Sequence, residues 1–285
     1  MKRIITMLLL YLCWIHVFGQ KPQGNCESGN CENGEGLLVC ADSTRYEGLF
    51  GNGLLVHGAI YRPNGDFCEG DFDGKMVLVK GRSVSMSGAE CVGVFTDGVL
   101  AEGSMTLVSG LVFTGSFVGG KLRVGSIRFP ACVHEGNFDE NSKLVKGKIT
   151  YRTGTVYEGD FEAGVLVKGK FTYADGQIQE GVFVDNKLRN GIITLPNGEI
   201  QQGVFDENAE LVKGKILFTT GNVFEGEFKN GQMFFGTFFF KSGQRHEGYF
   251  ADGKANGEGT KFDEKNNIVQ KGTYYNNEFV VSVAK

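Results

Sequence analysis

Hydrophobic and polar residues alternate in short segments along most of this chain, most clearly in residues 154–176, GTVYEGDFEAGVLVKGKFTYADG. Tyr157, Gly159 and Phe161 are separated by single acidic residues, which is the period-two pattern of a half-buried β-strand. A second run with the same period begins at Gly169. The pattern predicts two short strands in this segment.

Two connections are predicted from the same segment. The residues between the strands, among them Val165 and Leu166, are expected to form a loop. Asp175 and Gly176 are predicted to reverse the chain in a tight hairpin, as Asp-Gly pairs do where positive φ is required. No segment shows the apolar spacing of a helix, so the predicted fold class is all-β.

The segment is one copy of a repeat in which a glycine is followed two residues later by an aromatic ring. Successive glycines are 21 to 24 residues apart, and the repeat covers roughly residues 46–275. A fixed short period predicts one supersecondary unit copied into an array of about eleven units, with no room for a separate catalytic domain. The repeat pairs, which we expect to be structural anchors of the units, are Gly48/Phe50, Gly70/Phe72, Gly93/Phe95, Gly115/Phe117, Gly136/Phe138, Gly159/Phe161, Gly181/Phe183, Gly203/Phe205, Gly226/Phe228, Gly248/Phe250 and Gly272/Tyr274.

These anchor glycines, as we call the glycines of the pairs, need a physical reason because glycine weakens a strand interior. Rings commonly stand two positions away on both sides, as Tyr46 and Phe50 do around Gly48. We therefore expect a ring from an adjacent strand to lie over the bare backbone and to give a thin sheet a core.

A second glycine, five residues before the next anchor, predicts a turn in most units. It is replaced by Ser43, Ala131 and Asn267 in three of them. Asparagine tolerates left-handed backbone, whereas Ala131 beside Pro130 indicates a different turn. The turn glycines are Gly65, Gly88, Gly110, Gly154, Gly176, Gly198, Gly221 and Gly243.

The first nineteen residues have the pattern of a secretory signal peptide. A basic start is followed by an apolar stretch over residues 4–18 and by small residues before Gln20. The stretch is too short for a membrane span, and no stop-transfer charges follow it. A lipid anchor on Cys13 is the alternative, and the large Leu12 before it argues against that.

Removal of such a signal would leave an acidic chain. Loss of Lys2 and Arg3 leaves 27 basic against 33 acidic residues, a net charge of −6. An acidic chain gains nothing from counterion release, so nucleic acid is excluded as a partner class. Anionic membrane surfaces are disfavoured for the same reason.

Six cysteines would remain in the exported chain, where disulfides form. Cys26 and Cys31 are close together in a glycine-rich turn and form the candidate disulfide. Zinc is the rival reading, but the spacing has no matching second pair and no clustered histidines. The pairing of the other four stays open, although Cys68 and Cys91 share a slot in neighbouring units at too great a distance for a bridge. These four are Cys40, Cys68, Cys91 and Cys132.

Carboxylates recur one residue before the anchor glycine and admit two readings. They could serve acid–base catalysis or bind a cation, or they could form a solvent-facing row opposite Lys148, Lys170 and Lys215. Equivalent slots are roughly 9.5 Å apart on strand spacing, too far to share a metal or a proton. We therefore favour the solvent-facing row. Its members are Glu47, Glu69, Glu135, Glu158, Glu180, Glu225 and Glu247.

Two further motifs each have a functional and a structural reading. LVKG recurs at 78–81, 144–147, 166–169 and 211–214, so its lysines form either a phosphate-reading stripe or a solvated edge. FDEN recurs at 138–141 and 205–208. It lacks the spaced ligands of a calcium loop, and duplication of a three-unit block explains it better.

The repeat as a whole resembles the MORN repeat, the membrane occupation and recognition nexus motif. YEGDFEAGVLVKGKFTYADG and FEGEFKNGQMFFGTFFFKSG carry the resemblance, which covers about 230 of the 285 residues. It implies an elongated single antiparallel sheet of stacked β-hairpins, with a role in binding, scaffolding or dimerisation rather than in chemistry. The leading aromatic residue is replaced in several units by Cys68, Cys91, His134, Gln179, Gln201, His246 and Gln270.

The sequence thus predicts an exported, non-enzymatic repeat protein that uses no cofactor or metal and binds a protein partner or its own copy. An envelope-associated binder of lipid headgroups or glycan is the alternative, and a hydrolase acting through the glutamate row is a third reading. His134 and His246 occupy the aromatic slot and are expected to be packed rather than catalytic. The predicted organisation is a signal peptide at 1–19, a Cys/Gly-rich cap at 20–45, the array at 46–280 and a tail at 281–285.

Overall fold

The computed structural model describes residues 21–280. The predicted signal peptide, with Cys13, and the predicted tail at 281–285 lie outside the described residues. Every regular element in the described range is a β-strand, and the prediction of an all-β antiparallel fold is confirmed. None of these residues forms a helix long and apolar enough to cross a membrane. The strands are β1 Gly24–Gly29, β2 Gly34–Cys40, β3 Arg45–Gly51, β4 Leu54–Tyr61, β5 Phe67–Phe72, β6 Leu78–Val84, β7 Glu90–Thr96, β8 Val99–Thr106, β9 Val112–Val118, β10 Lys121–Arg128, β11 Cys132–Phe138, β12 Leu144–Tyr151, β13 Val156–Glu162, β14 Val165–Thr172, β15 Ile178–Val184, β16 Lys187–Thr194, β17 Ile200–Phe205, β18 Leu211–Leu217, β19 Val223–Lys229, β20 Gln232–Phe239, β21 Arg245–Ala251, β22 Lys254–Phe262, β23 Ile268–Tyr275 and β24 Glu278–Val280.

The chain divides into two compact halves, one ending at Leu144 and one beginning at Val145. Within the first, β1 to β11 pair in succession, each antiparallel to the next. Within the second, β12 to β24 do the same. Within each half, a predicted repeat is therefore one hairpin paired to its neighbours.

Glycines face glycines across the strands. Gly169 in β14 pairs with Gly159 on one side and Gly181 on the other. A Cβ at Gly169 would lie 2.1 Å from the carbonyl oxygen of Glu158, and the residue has a φ of +147°. The backbone thus comes too close for any side chain, in a conformation that L-residues avoid.

This arrangement corrects the expectation that a ring covers each anchor glycine. At most anchors the nearest atoms belong to the backbone of the opposite strand. A ring enters the space at Gly226 and Gly236, where the Cζ of Phe224 would lie 3.1 and 2.9 Å from an added Cβ. At the anchor Gly272 the ring comes from the adjacent strand, as expected, with the Cε2 of Phe279 at 3.1 Å. The glycines therefore primarily allow strand-to-strand approach, and ring packing on them is a local addition.

The core lies on the face that carries the anchor glycines and the rings beside them, which we call the inner face. Phe161 and Leu166 are paired across β13 and β14 and are 4 % and 3 % exposed. The rings of Tyr157 and Phe171 stack on the same pair of strands with centroids 4.3 Å apart. At about 25 cal/mol per Å² of apolar area, repeated burial of this kind holds the array together.

The rings of all eleven repeat pairs are buried in this core. Phe95, Phe117 and Phe183 are 4, 5 and 3 % exposed, and each is paired with a leucine of the next strand. A buried ring offers no surface to a partner, so the repeat pairs mark packing positions and a binding site has to lie elsewhere. The other buried rings are Phe50, Phe72, Phe138, Phe161, Phe205, Phe228, Phe250 and Tyr274.

The connection between the two strands of a unit is shorter than predicted. Val165 and Leu166 belong to β14 rather than to a loop, because the turn contains only Ala163 and Gly164. Both turn residues have positive φ, +51° and +84°. A two-residue turn of this kind matches the twist of the flanking strands.

The connection between units is the longer one, which corrects the tight Asp-Gly turn predicted at Asp175 and Gly176. The Tyr173 N–H donates to the Gln177 carbonyl at 2.8 Å, and the Gly176 N–H donates to the Tyr173 carbonyl at 3.1 Å. Gly176 has a φ of +91°, whereas Asp175 does not have positive φ. This is a three-residue loop that ends in a left-handed residue.

The three exceptional turns differ from one another. Ser43 keeps the left-handed place of glycine, with a φ of +67°. At Ala131 the turn is shorter, closed by a bond from the Phe129 N–H to the Cys132 carbonyl at 2.9 Å. In the last turn the left-handed residue is Asn266, at +69°, and not Asn267.

Candidate interaction surface

The surface opposite the core is built from the residues directly before and after each glycine of the strand-to-strand row, and we call it the outer face. Glu158 and Asp160 flank Gly159 there, and Lys168 and Lys170 flank Gly169. Alternation along a strand places these side chains away from the inner face. The outer face therefore presents side chains that the core does not require.

The aromatic members of the repeat pairs take no part in this surface. Phe95, Phe117 and Phe183, like the other rings of the pairs, lie buried on the inner face. The most regular signal in the sequence thus identifies the fold, whereas the candidate contact residues occupy the positions between the repeated ones.

The predicted glutamate row lies on the outer face, and several of its members are opposite basic residues. Glu158 is paired in register with Lys148 on one side and Lys170 on the other. Lys215 is likewise paired with Glu225. Among residues 21–280 no cluster of three or more potential metal ligands is found. Glu69 and Glu180 also have a basic residue opposite them. Glu47 and Glu247 instead lie between uncharged residues. None of the described pairings places a glutamate of the row opposite a second carboxylate.

The LVKG lysines do not form a continuous positive stripe. Lys146 and Lys168 both lie opposite Asp160, and Lys146 forms an ion pair with it at 3.4 Å. Lys213 lies opposite Val204 and Glu227. Acidic and apolar residues separate the lysines from one another. This arrangement does not favour a binding site for a row of phosphate groups.

The FDEN motif closes a turn through its aspartate. The Asp139 Oδ1 accepts hydrogen bonds from the backbone N–H groups of Asn141 and Lys143, both at 2.8 Å. At the corresponding position of the last turn, hydrogen bonds from Asn267 hold the pKa of Asp263 below its ordinary value. These carboxylates are occupied by the turn.

The Cys/Gly-rich segment contains the candidate disulfide. Cys26 and Cys31 are bonded to each other, and their Cα atoms are 5.9 Å apart. The following residues fasten this loop to the turn between β3 and β4. The Gly53 N–H donates to the Glu32 carbonyl at 2.9 Å, and the Asn52 N–H donates to the Asn33 side chain at 2.9 Å. The disulfide loop therefore packs against the first hairpin of the array.

The remaining cysteines lie on the inner face or at its margin. Cys68 and Cys91 are buried on β5 and β7, and each is opposite Ser83 of the strand between them. Cys132 is partly buried, with its Sγ 3.5 Å from the Nε2 of His134, and burial raises the pKa of its thiol. Burial, with Asp42 as a second cause, also raises the pKa of Cys40.

The two histidines of the aromatic slot are packed against rings. His134 lies 4.7 Å from Phe129 between ring centroids. His246 lies 5.4 Å from Phe250 and 4.5 Å from Tyr274. Burial lowers the pKa of both imidazoles. The His246 Nε2 is buried and has no hydrogen-bond partner among the described residues.

An aromatic cluster on the outer face was not singled out from the sequence as a site. Phe235 lies opposite Tyr249, with ring centroids 4.9 Å apart, and Phe234 meets Tyr249 at 5.7 Å. All three side chains are between 40 and 45 % exposed. The run QMFFGTFFF at 232–240 was the available signal, since it contains more rings than the inner face of one strand can hold.

Comparison with known proteins identifies the repeat. The family model of the MORN repeat matches residues 157–178, 224–245 and 246–263. No curated protein matches the sequence. Among solved structures, a mutant of the TCP10 domain of Danio rerio CPAP is similar at 15 % identity, covering 84 % of this chain and 99 % of that one. Its TM-score of 0.18 supports no conclusion about fold or function.

MORN repeats form a non-enzymatic repeat family and generally mediate binding to proteins or membranes. The three matched segments begin at Tyr157, Phe224 and His246, the leading positions of three of the repeats defined by the anchor glycines. Family model and strand register thus mark the same unit. Three segments of this chain thus match the MORN repeat, in agreement with the resemblance of the sequence.

Proposed function

We propose that this protein is exported, has no catalytic role, and uses its outer face as a binding or scaffolding surface for a protein partner or for its own copy. The supporting observation is the number of apolar side chains exposed on that face. Val182, Ile192 and Val204 occupy adjacent strands there and are 45, 37 and 49 % exposed. Clustered exposed apolar groups are typical of interaction sites.

Export is supported by the Cys26–Cys31 bond together with the predicted signal peptide at 1–19. Disulfides persist in oxidising compartments and are rare in reducing ones. The bond also lies in the segment that packs on the first hairpin, where a terminal unit is needed to cover a repeat array. We infer that the cap is formed after export.

The test is capture of partners by the mature protein, residues 20–285, from an extract of its own cell envelope. Specific protein partners, or self-association that rises with concentration in sedimentation velocity, are the expected results. A strict monomer that captures no protein but is retained on phospholipid vesicles or on glycan would contradict the proposal. That result would support the headgroup or glycan binder instead.

A further inference from the structure

The aromatic cluster of β20 and β21 has a more specific chemistry than the rest of the outer face. We call Phe234, Phe235 and Tyr249 the outer aromatic patch. The Tyr249 ring contacts both phenylalanine rings, and all three residues are exposed to solvent over part of their surface. An uncovered ring face carries a negative quadrupole that attracts cations.

The structure contains an internal example of that attraction. The Lys229 Nζ lies 5.9 Å from the ring centroid of Phe234, at one side of the patch. Phe235 and Tyr249 have no such cation among the described residues. Part of the patch is therefore open to a cation from outside.

Carboxylates border the same rings. Glu227 lies directly opposite Phe235 in the register of β19 and β20. Gly248 is paired with Gly259 across β21 and β22, and this register places Glu258 next to Tyr249 on the neighbouring strand. The two carboxylates thus flank the patch on opposite sides.

Neither carboxylate forms an ion pair within the described part of the chain. The Thr273 hydroxyl donates a hydrogen bond to the Oε1 of Glu258 at 2.8 Å, which leaves the negative charge in place. Lys213, opposite Glu227 on its other side, is separated from the rings by that glutamate. Both carboxylates are therefore available to a cation that approaches the rings.

The rings and the unpaired carboxylates together favour a cationic partner over an apolar one. An apolar partner would cover Glu227 and Glu258 without compensating their lost hydration, which is costly. A guanidinium group can stack on a ring and bind a carboxylate at the same time, and it is more weakly hydrated than an ammonium group. The net charge of −6 expected for the mature chain would also draw a basic segment toward it.

We propose that the outer aromatic patch binds an extended, arginine-containing segment of a partner protein, with guanidinium groups on Phe235 and Tyr249 and against Glu227 and Glu258. This inference rests on the proposed function, since it names the site and the chemistry of the partner. Strands β19 and β22 are three strand spacings apart, roughly 14 Å. Two arginines four residues apart in an extended peptide span about that distance.

The experiment measures binding of a fluorescein-labelled peptide, Gly-Arg-Ser-Gly-Ser-Arg-Gly, to the mature protein by fluorescence anisotropy. A twin peptide with glutamate in place of arginine is the charge control. Wild-type protein is expected to bind the arginine peptide and not its twin. Phe235→Ser combined with Tyr249→Ser is expected to weaken binding roughly tenfold, because two cation–π contacts are removed while the protein charge stays the same.

Two further variants keep the result interpretable. Phe235→Lys places in this slot the residue that Lys168 and Lys213 supply in other repeats, so the fold accommodates it, and it should also abolish binding by repulsion. Val182→Ser combined with Val204→Ser removes exposed apolar groups from the same face away from the patch and should change affinity less than about twofold.

Equal affinity of wild type and Phe235→Lys for the arginine peptide would overturn the inference, as would equal binding of both peptides. If instead the variants lose retention on phosphatidylcholine vesicles and keep peptide affinity, the patch is a lipid contact and the inference is wrong. Envelope partners captured equally by wild type and Phe235→Lys would leave the proposed function standing and refute this site. Failure of the wild type to capture any partner would count against the proposed function, while the peptide measurement would still decide the chemistry of the patch.

Discussion

Single residues on the inner face obey two different constraints. Anchor glycines are required by backbone contact, as at Gly169, where an added Cβ would meet the Glu158 carbonyl oxygen. The ring positions beside them are required only to be apolar and well packed, and His246 departs from that requirement. Substitution of an anchor glycine is therefore expected to lower the free energy of unfolding strongly. Replacement of His246 by an apolar ring is expected to raise it.

Gly169→Ala is expected to lower the free energy of unfolding by at least about 2 kcal/mol, because positive φ and the backbone clash act together. Urea unfolding followed by circular dichroism measures the change. Gly164→Asn is the matched control. Gly164 also has positive φ, but no heavy atom lies within 4 Å of a Cβ there, and Asn186 holds the equivalent turn position in the next unit. A Gly169→Ala variant as stable as this control would refute the role of backbone approach.

His246→Phe is expected to raise the free energy of unfolding by about 1 kcal/mol, because it removes a buried nitrogen without a partner and places in the slot the ring found at Phe224. Urea unfolding again measures the change. His57→Gln is the control at an exposed position; it removes the contact of the ring with Asp71 at 2.7 Å and should therefore not raise the free energy of unfolding.

The same substitution predicts a pH dependence. Burial lowers the pKa of the His246 imidazole in the folded state, so the unfolded chain binds the proton more tightly. The contribution of the neutral ring to the free energy of unfolding is complete above the pKa of the unfolded chain, about 6.5. It is lost as the pH falls from there through the lower pKa of the folded state. Urea unfolding between pH 5 and pH 8 should show a decline in the wild type that is smaller in His246→Phe. Identical slopes in the two proteins would be evidence against the assignment.

At the scale of elements, the hairpins follow from the sequence more completely than their turns do. Alternation around Gly159 and Gly169 predicted both strands of the unit and their side chains on the inner face. The pattern failed at Val165 and Leu166 because the register shifts between Asp160 and Phe161. The shift places Leu166 on the same face as Gly169, although the two residues are an odd number of positions apart. A strict period of two would place them on opposite faces, so the pattern could not predict this.

The surface was predictable only in part, for a related reason. The glutamates and lysines of the outer face could be paired from strand order alone, as for Glu158 and Lys170. The outer aromatic patch could not, since the sequence does not say which rings of a run turn outward. Phe234 is the extra residue of the bulge in β20, opposite neither Glu227 nor Phe228, and strict alternation would not place it beside Phe235.

Removal of the disulfide should affect the first hairpin and little else. Cys26→Ser with Cys31→Ser opens a loop of about six residues, which the chain-entropy relation values at about 2 kcal/mol. We expect faster amide exchange at Gly53, whose N–H donates to Glu32, while amides near Gly169 keep their protection. Hydrogen exchange measured by NMR distinguishes this local loss from global unfolding, which would contradict the expectation.

At the scale of the whole molecule, stability comes from the contacts between successive hairpins. Each unit meets its neighbours through the same glycine register, as in the pairs from Gly159 to Gly203. Such an array is approximately a sum of units and nearest-neighbour interfaces. Units should therefore be removable in whole numbers.

Deletion of residues 177–198, one unit of 22 residues, joins Gly176 to Glu199 and allows Gly169 to pair with Gly203 in place of Gly181. The shortened protein is expected to fold and to unfold cooperatively with a smaller urea m-value, because less surface is exposed. Deletion of residues 177–187 removes a single strand. Every later strand would then run in the opposite direction, so the short and long turns would lie at the wrong edges of the sheet. Cooperative unfolding of that second protein with an unchanged midpoint would contradict the modular account.

The separation of the two faces has a practical consequence for engineering. Outer-face positions such as Val182, Asn190 and Val204 sit over glycines that accept no change, yet they have no part in the packing beneath. Their codons could be randomised hairpin by hairpin in a display library while the framework stays fixed. Selection from such a library would yield binding reagents whose footprint is lengthened simply by adding another hairpin.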